Sequence, residues 1–257
     1  MSPTLLLLGS AVGLVIAILV MVELGHRLGR RRMERDAEGA RAGTSAVEAS
    51  AFGLFGLLIA FWFSGATNRF DDRRRLLVEE ANNIGTAYLR IDLLPAEAQP
   101  GMRDRFRAYT DSRVQIYKKL PDLAAAKAEL ARSNGLQADL WAEAVKACQG
   151  SQAGTLLFLP AVNSMIDISA SRTAAGLIMH TPPIILGLLI LLSLGCALLV
   201  GHSMAASKTR NLLHTIAFAC MVGMTFYVII DVEYPRIGLI RVDEADQLLV
   251  DVRASMK

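Results

Sequence analysis

The chain has 257 residues, of which 53% are hydrophobic and 20% are charged, and its formal net charge is +3. Its mean hydropathy of +0.39 and the uneven distribution of its charges indicate membrane segments joined to soluble segments, and not one globular core. So small a net charge gives no reason to expect a nucleic-acid partner, and we expect none. The three cysteines, Cys148, Cys196 and Cys220, form neither a disulfide framework nor a metal-ligand spacing.

Four stretches are long and apolar enough to cross a bilayer, which takes about 20 predominantly apolar residues in a helix. They are residues 1–25, 49–68, 183–201 and 211–230. The first could be a cleaved signal peptide, but its apolar part is preceded by no Lys or Arg and followed by basic residues, so we predict a retained span. The predicted fold is all-α: an integral membrane protein with four transmembrane helices and a helical soluble domain between spans two and three.

The connector between the first two spans, residues 26–48, is rich in arginine and contains the cluster Arg30-Arg31-Arg32. By the positive-inside rule, this connector and the short third connector, which contains Lys208 and Arg210, would be cytoplasmic. Arginines that flank the soluble domain and follow the last span oppose this orientation with nearly equal weight. The sequence therefore predicts a multi-pass protein of a bacterial inner (plasma) membrane, in contact with its lipid, and leaves the side of the soluble domain open.

The second span continues into the soluble domain, residues 69–182, without a proline or a turn cluster. This continuity predicts one long helix that leaves the membrane and ends near Asp92. Its apolar positions beyond the membrane are spaced by four and three residues, which predicts a narrow seam packed against another helix. These positions are Leu77, Ala81, Ile84, Tyr88 and Ile91.

The rest of the soluble domain also shows helical periodicity. The predicted helices are residues 102–120, 122–132, 137–148 and 155–174. The dipeptide Asn134-Gly135 is expected to break the second of these from the third, because Gly favours helix ends. The last helix is apolar and could lie at the membrane surface, and residues 231–257 are expected to form a C-terminal tail.

No catalytic or phosphate-binding motif is found, so we expect no enzyme, no cofactor and no metal. His202 and His214 could bind a metal or sense pH at facing ends of spans three and four, but ordinary interfacial histidines explain them more simply. Glu80 follows Arg73 by seven residues on a similar helix face, and the pair is expected to be solvated. Gly9 and Gly13 form a Gly-x-x-x-Gly pattern, which permits close helix approach.

Gly53, Leu57 and Phe61 recur every four residues in span two and therefore share one helix face. In a symmetric assembly around an axis, this face would ring the axis with apolar side chains. Such a ring can gate a pore by dewetting. From spacing alone, ordinary packing between helices of a bundle remains the simpler interpretation.

The segment that leaves the membrane resembles the second helix of bacterial bestrophins. In both, an aromatic residue stands eight positions before an arginine, and an aromatic, an acidic and a second basic residue follow. Here Phe61 stands eight positions before Arg69, and Phe70, Asp72 and Arg74 follow. The chain is more similar still to the bestrophin-like domain family of four-pass membrane proteins. That similarity extends through Glu80-Ala81, Tyr88 and Leu93-Leu94-Pro95 to the tail with Pro235 and Gly238.

The resemblance implies a homo-oligomeric ion channel, with a pentamer as a candidate stoichiometry, that conducts small inorganic anions such as chloride. Its pore would be lined by span two, with a narrow neck at Gly53, Leu57 and Phe61, and Arg69, Asp72, Arg74 and Glu80 would shape the helix where it leaves the membrane. The chain departs from the pattern at Gly53 and Leu57, which replace bulkier or β-branched neck residues.

A second interpretation stays open. No charged residue lies inside a predicted span, whereas ionisable residues within spans often mark transport pathways. The chain could therefore be a non-conducting scaffold or sensor whose helical domain binds a partner.

Overall fold

The computed structural model describes residues 3–35, 44–120, 122–205, 212–236 and 238–257. Within these ranges every regular element is helical, which confirms the all-α prediction. The eight α-helices are α1 Pro3–Arg35, α2 Thr44–Leu89, α3 Gln99–Lys118, α4 Leu123–Ala147, α5 Leu159–Leu177, α6 Pro183–Met204, α7 Leu212–Glu233 and α8 Asp243–Ser255. The middle of the basic connector, residues 36–43, and the predicted topology signals Lys208 and Arg210 lie outside the described residues.

The chain divides into two compact units. The first, the membrane unit, comprises Met1–Asn68 and Thr181–Leu239; the second, the soluble unit, comprises Arg69–His180 and Ile240–Lys257. Four helices, α1, α2, α6 and α7, are long and apolar enough to cross a bilayer. The chain is therefore a multi-pass membrane protein, as predicted.

Helices α1 and α6 pack closely in the membrane unit, and glycines make the approach possible. A Cβ on Gly201 would lie 1.9 Å from the backbone oxygen of Val22, and a Cβ on Gly25 would lie 2.0 Å from that of Leu198. The Gly-x-x-x-Gly pattern of Gly9 and Gly13 is not the site of this approach, because a Cβ on either glycine would meet no described atom within 4 Å. The contact lies nearer the other end of α1.

Helix α2 is 46 residues long and continues from the membrane unit into the soluble unit, as the sequence predicts. It ends at Leu89, and a short 3₁₀ turn, Arg90–Leu93, completes the segment. In the soluble unit the predicted seam of α2 is buried with α3, α4 and α5 around Phe106 and Phe158. The periodicity of this segment thus describes a real packing face.

Helix α4 runs through Asn134-Gly135 without a break, so the prediction of two helices here is wrong. The Asp122 side chain caps the start of α4 by accepting the backbone N–H groups of Ala124 and Ala125 at 3.0 Å each. A continuous buried face crosses the dipeptide and comprises Ala126, Glu129, Ser133, Leu140 and Ala144. Burial along this face outweighs the cost of about 1 kcal/mol that an interior Gly imposes on a helix.

The apolar segment before α6 contributes to the core of the soluble unit. Phe158, Val162 and Met165 of this segment are fully buried in the core cluster. Residues 243–255, placed in a tail by the sequence, form α8, and Leu249 is buried in the same core. Both segments are apolar on one side because they complete a soluble helical bundle.

Candidate pore-lining face and the contacts that orient it

In the membrane unit, α2 has one face packed against other helices and another that no described residue covers. Phe55, Trp62 and Ala66 form the packed face and are buried. Leu57 is 52% exposed and Phe61 is 65% exposed. A Cβ on Gly53 would meet no atom within 4 Å. Gly53, Leu57 and Phe61 therefore share one open face of α2. No helix of the same chain packs against this face among the described residues.

The open face changes character along the membrane part of α2. After Phe61 it continues, at spacings of three and four residues, with Ser64 and Asn68, and both are exposed. These spacings keep all three residues on one side of an α-helix. One face of the span thus carries apolar side chains at Leu57 and Phe61 and polar side chains further on.

The packed face is anchored by a chain of hydrogen bonds that begins at Trp62. The Trp62 indole N–H donates to the Thr181 hydroxyl at 3.3 Å. Thr181 in turn donates its hydroxyl and its backbone N–H to the Glu233 carboxylate at 3.2 and 3.0 Å. The Trp62 ring also meets the Phe226 ring edge to face, with centroids 5.3 Å apart. We refer to Trp62, Thr181 and Glu233 as the anchor.

Three of the four predicted helix-exit residues lie at or near the surface of the soluble unit. Asp72 accepts a hydrogen bond from Arg75 at 3.1 Å, and both side chains are exposed. The Arg74 guanidinium lies 5.7 Å from the centroid of the Phe70 ring. Arg69 is partly exposed. These residues form a solvated patch, and a patch of this kind contributes little to stability.

Glu80, the fourth, is different because its side chain has no exposed surface. Its Oε1 accepts from Arg113 Nε at 2.6 Å, and its Oε2 accepts from Arg172. Arg172 also donates to Asp246 at 3.0 Å. The expectation that Glu80 is solvated is therefore wrong. Glu80 lies three residues after Leu77 and four before Ile84, on the buried face, and this spacing could have revealed it.

The Tyr117 ring also contacts the buried cluster. The Arg172 guanidinium lies 3.7 Å from the centroid of the Tyr117 ring, within cation–π range. Burial alone would lower the pKa of Arg113, but the Glu80 carboxylate and the neighbouring tyrosines raise it above its ordinary value. Burial raises the pKa of Tyr109 to about 12. Arg113 therefore stays charged, and the cluster is a structural ion network.

Arg73, the expected partner of Glu80, instead donates hydrogen bonds at the end of α5. Its guanidinium donates to the backbone oxygens of Ala175 and Met179 at 2.9 Å each and lies 3.1 Å from His180 Nδ1. The Ala175 oxygen is one of the carbonyls left free in the last turn of α5, Met179 lies just beyond that helix, and a cation is favourable at such an end. Arg73 thus fixes the end of α5 to α2 within the soluble unit.

In the described part of the chain, no group of three or more His, Cys, Asp and Glu residues is arranged to hold a metal ion. The arrangement therefore offers an open face on a membrane helix, an anchor on the opposite face and a buried ion network.

Together these features define a four-span, all-α membrane protein with an unusually long second helix. A family model for the bestrophin-like domain matches residues 12–247. The chain therefore belongs to the bestrophin-like domain family, as the sequence motifs predicted. None of the curated proteins matches the chain.

Solved structures with the same fold are distant in sequence. A single-residue variant of a bacterial bestrophin homologue from Klebsiella pneumoniae is 15% identical, with a TM-score of 0.63, and the match covers 94% of this chain and 98% of that one. A structure of this homologue phased with zinc gives 15% identity, a TM-score of 0.60 and coverages of 93% and 98%. A variant described as a membrane protein gives 14% identity, a TM-score of 0.62 and coverages of 94% and 99%. At these identities the likeness shows the fold.

Proposed function

We propose that this protein is a homo-oligomeric ion channel of a bacterial inner membrane and not an enzyme. In this proposal α2 of each subunit lines a central pore, and Gly53, Leu57 and Phe61 form its neck. The observation that carries the proposal is the open face of α2, which runs from Leu57 and Phe61 to Ser64 and Asn68. A face turned to lipid would be expected to stay apolar inside the span, where Ser64 lies, whereas a water-filled path accommodates both Ser64 and, at the end of the span, Asn68.

The resemblance to bestrophins favours small anions, chloride in particular, and a ring of subunits such as a pentamer. The neck itself carries no charge, so it restricts flow through its width and its dryness. Truncation of Phe61 would widen and wet the neck. The pore would then conduct more readily.

The test is ion flux in liposomes with Phe61→Ala and a matched control. Phe63 is 45% exposed and lies two residues further along, which turns it about 200° away from Phe61 on the same helix. We expect Phe61→Ala to change conductance or gating by at least about tenfold, since the change removes most of a large apolar side chain from the constriction. Phe63→Ala should leave flux near the wild-type level, and replacement of chloride by a large organic anion should abolish the current.

The oligomeric state of the purified protein completes the test. Ring symmetry with α2 at the centre supports the proposal. A monomer in native-like lipid, or a ring that passes no ion in wild-type and Phe61→Ala forms, contradicts it. The second of these outcomes would favour the non-conducting scaffold or sensor.

A further inference from the structure

We infer that the anchor formed by Trp62, Thr181 and Glu233 sets the rotation of α2 and thereby regulates the opening of the neck. This inference rests on the proposed function, because it concerns the same open face. Its basis is the chain of hydrogen bonds that joins the buried Glu233 carboxylate, at the end of α7, through Thr181 to Trp62, the residue next to Phe61.

The direction of each hydrogen bond in the anchor follows from its donors and acceptors. An ionised carboxylate only accepts, so the Thr181 hydroxyl must give its single proton to Glu233 Oε2. The lone pairs of that hydroxyl oxygen then remain for the indole N–H of Trp62. The backbone N–H of Thr181 occupies the other carboxylate oxygen. The carboxylate therefore holds Thr181 at two points and orients its hydroxyl toward Trp62.

The anchor is strong enough to matter because it is buried. Trp62 is 6% exposed and Glu233 is 2% exposed. An indole N–H that loses its acceptor in such surroundings cannot turn to bulk water, so it bears the cost of desolvation. Burial therefore favours the orientation of α2 in which all three hydrogen bonds of the anchor are made.

This orientation determines where Phe61 points. Neighbouring residues of an α-helix are about 100° apart, so Trp62 cannot stay against Phe226 and Thr181 unless Phe61 points out of the bundle. A turn of the membrane part of α2 by about one residue would draw Phe61 inward and expose the packed face, including Ala66. The anchor thus holds the apolar side chain on the proposed path, and its release should favour the open pore.

Three conservative substitutions each remove one link of the anchor. Trp62→Phe keeps an aromatic ring against Phe226 but removes the indole N–H; Thr181→Val keeps the side-chain shape but removes the hydroxyl; and Glu233→Gln keeps the side-chain size but removes the charge. Thr181→Ser restores the hydroxyl and serves as the rescue variant. Thr67→Val is the matched control, because the Thr67 hydroxyl bonds only locally, to the backbone oxygen of Phe63 at 3.0 Å.

The first measurement reports rotation and does not need conduction. A thiol introduced by Ala66→Cys, in a background in which the exposed Cys220 is replaced by Ser, is buried while the anchor holds. Its rate of modification by a water-soluble thiol reagent is therefore proportional to the fraction of α2 that has turned. We expect each anchor variant to raise this rate about two- to tenfold, the range that one hydrogen bond contributes to an equilibrium. Thr181→Ser and Thr67→Val should stay near the starting rate.

The second measurement is the ratio of open to closed times in single-channel recordings. We expect the same two- to tenfold rise for the three anchor variants, with unchanged conductance of the open pore. Trp62→Phe combined with Thr181→Val should give less than the product of the two separate effects, since both remove the same bond. All variants are assayed as monodisperse full-length protein, and Trp62→Phe, which keeps the packing, tests the idea if Glu233→Gln does not fold.

The outcomes separate this inference from the proposed function. Unchanged thiol rates in all three anchor variants would overturn the inference, whether or not the protein conducts. Raised thiol rates with an unchanged open-to-closed ratio would show that α2 turns without gating and would also overturn it. Absence of flux in every form would refute the channel, while the thiol rates would still report whether the anchor fixes the helix.

Discussion

Replacement of Glu80 by Gln is expected to destabilise the soluble unit severely. The change keeps the side-chain volume but removes the negative charge that lies between Arg113 and Arg172. Those arginine side chains are 2% and 5% exposed, so Arg113 would stay in the interior without its carboxylate partner, while Arg172 would keep its ion pair with Asp246. Removal of one partner from a buried ion pair typically costs about 3–5 kcal/mol. That cost is a large part of the roughly 5–15 kcal/mol by which a domain is stable.

Hydrogen exchange on the full-length protein measures this effect where it occurs. Amides of α3 around Phe106 and Ile116 lie in the core that the cluster supports. A loss of about 3–5 kcal/mol corresponds to exchange faster by about 10²- to 4 × 10³-fold, since 1.4 kcal/mol is a factor of ten. Asp72→Asn is the matched control, because it removes an exposed carboxylate from the same helix, and its ion pair is worth about 0–1 kcal/mol.

A second variant tests the reasoning itself. If the cost arises from uncompensated charge, Glu80→Gln combined with Arg113→Met should be more stable than Glu80→Gln alone, because the second change removes one stranded cation. The reasoning is refuted if Glu80→Gln accelerates exchange no more than Asp72→Asn does. It is also refuted if Arg113→Met adds a further loss in the Glu80→Gln background.

Two further predictions concern pH and helix packing. A hydrogen bond from Lys119 lowers the pKa of Glu129 below its ordinary value of 4.5, so ionised Glu129 stabilises the folded state above about pH 4.5 and loses this contribution as the pH falls further. In thermal unfolding, the stability difference between wild type and Glu129→Gln should therefore be full at pH 7 and shrink below pH 4.5. A stability difference that does not change with pH would contradict this prediction. Gly201→Val should prevent recovery of folded protein from the membrane, because its Cβ would overlap the backbone oxygen of Val22. Gly195→Val on the same helix should be recovered normally, because a Cβ there meets no atom within 4 Å. Equal yields of the two variants in size-exclusion chromatography would contradict this prediction.

Much of the fold could be predicted because its signals are local. Twenty apolar residues are enough to indicate a span, and the absence of a turn between Asn68 and Arg69 is enough to indicate one helix. The break expected at Asn134-Gly135 failed because burial on both sides of it outweighs a weak local preference. Local signals predict a helix well when the core agrees with them and fail when it does not.

The contacts of the candidate site were mostly beyond prediction because they join distant parts of the chain. Trp62 and Thr181 are separated by 119 positions, and Glu80 and Arg172 by 92. Nothing in the sequence around Thr181 indicates that its hydroxyl accepts from an indole. The face itself was predictable from spacing, whereas the groups that hold the opposite face in place require the three-dimensional structure.

An exposed apolar face on a membrane helix does not by itself indicate a pore, because lipid covers such faces in every membrane protein. Two observations distinguish the face of Leu57 and Phe61. It continues into Ser64 and Asn68, which lipid would solvate poorly, and the opposite face is fixed by hydrogen bonds through Trp62 and not by apolar packing alone. A helix that only met lipid would gain little from so specific a rotation. A helix that must point Phe61 in one direction needs a fixed rotation, and this requirement links the anchor to the proposed neck.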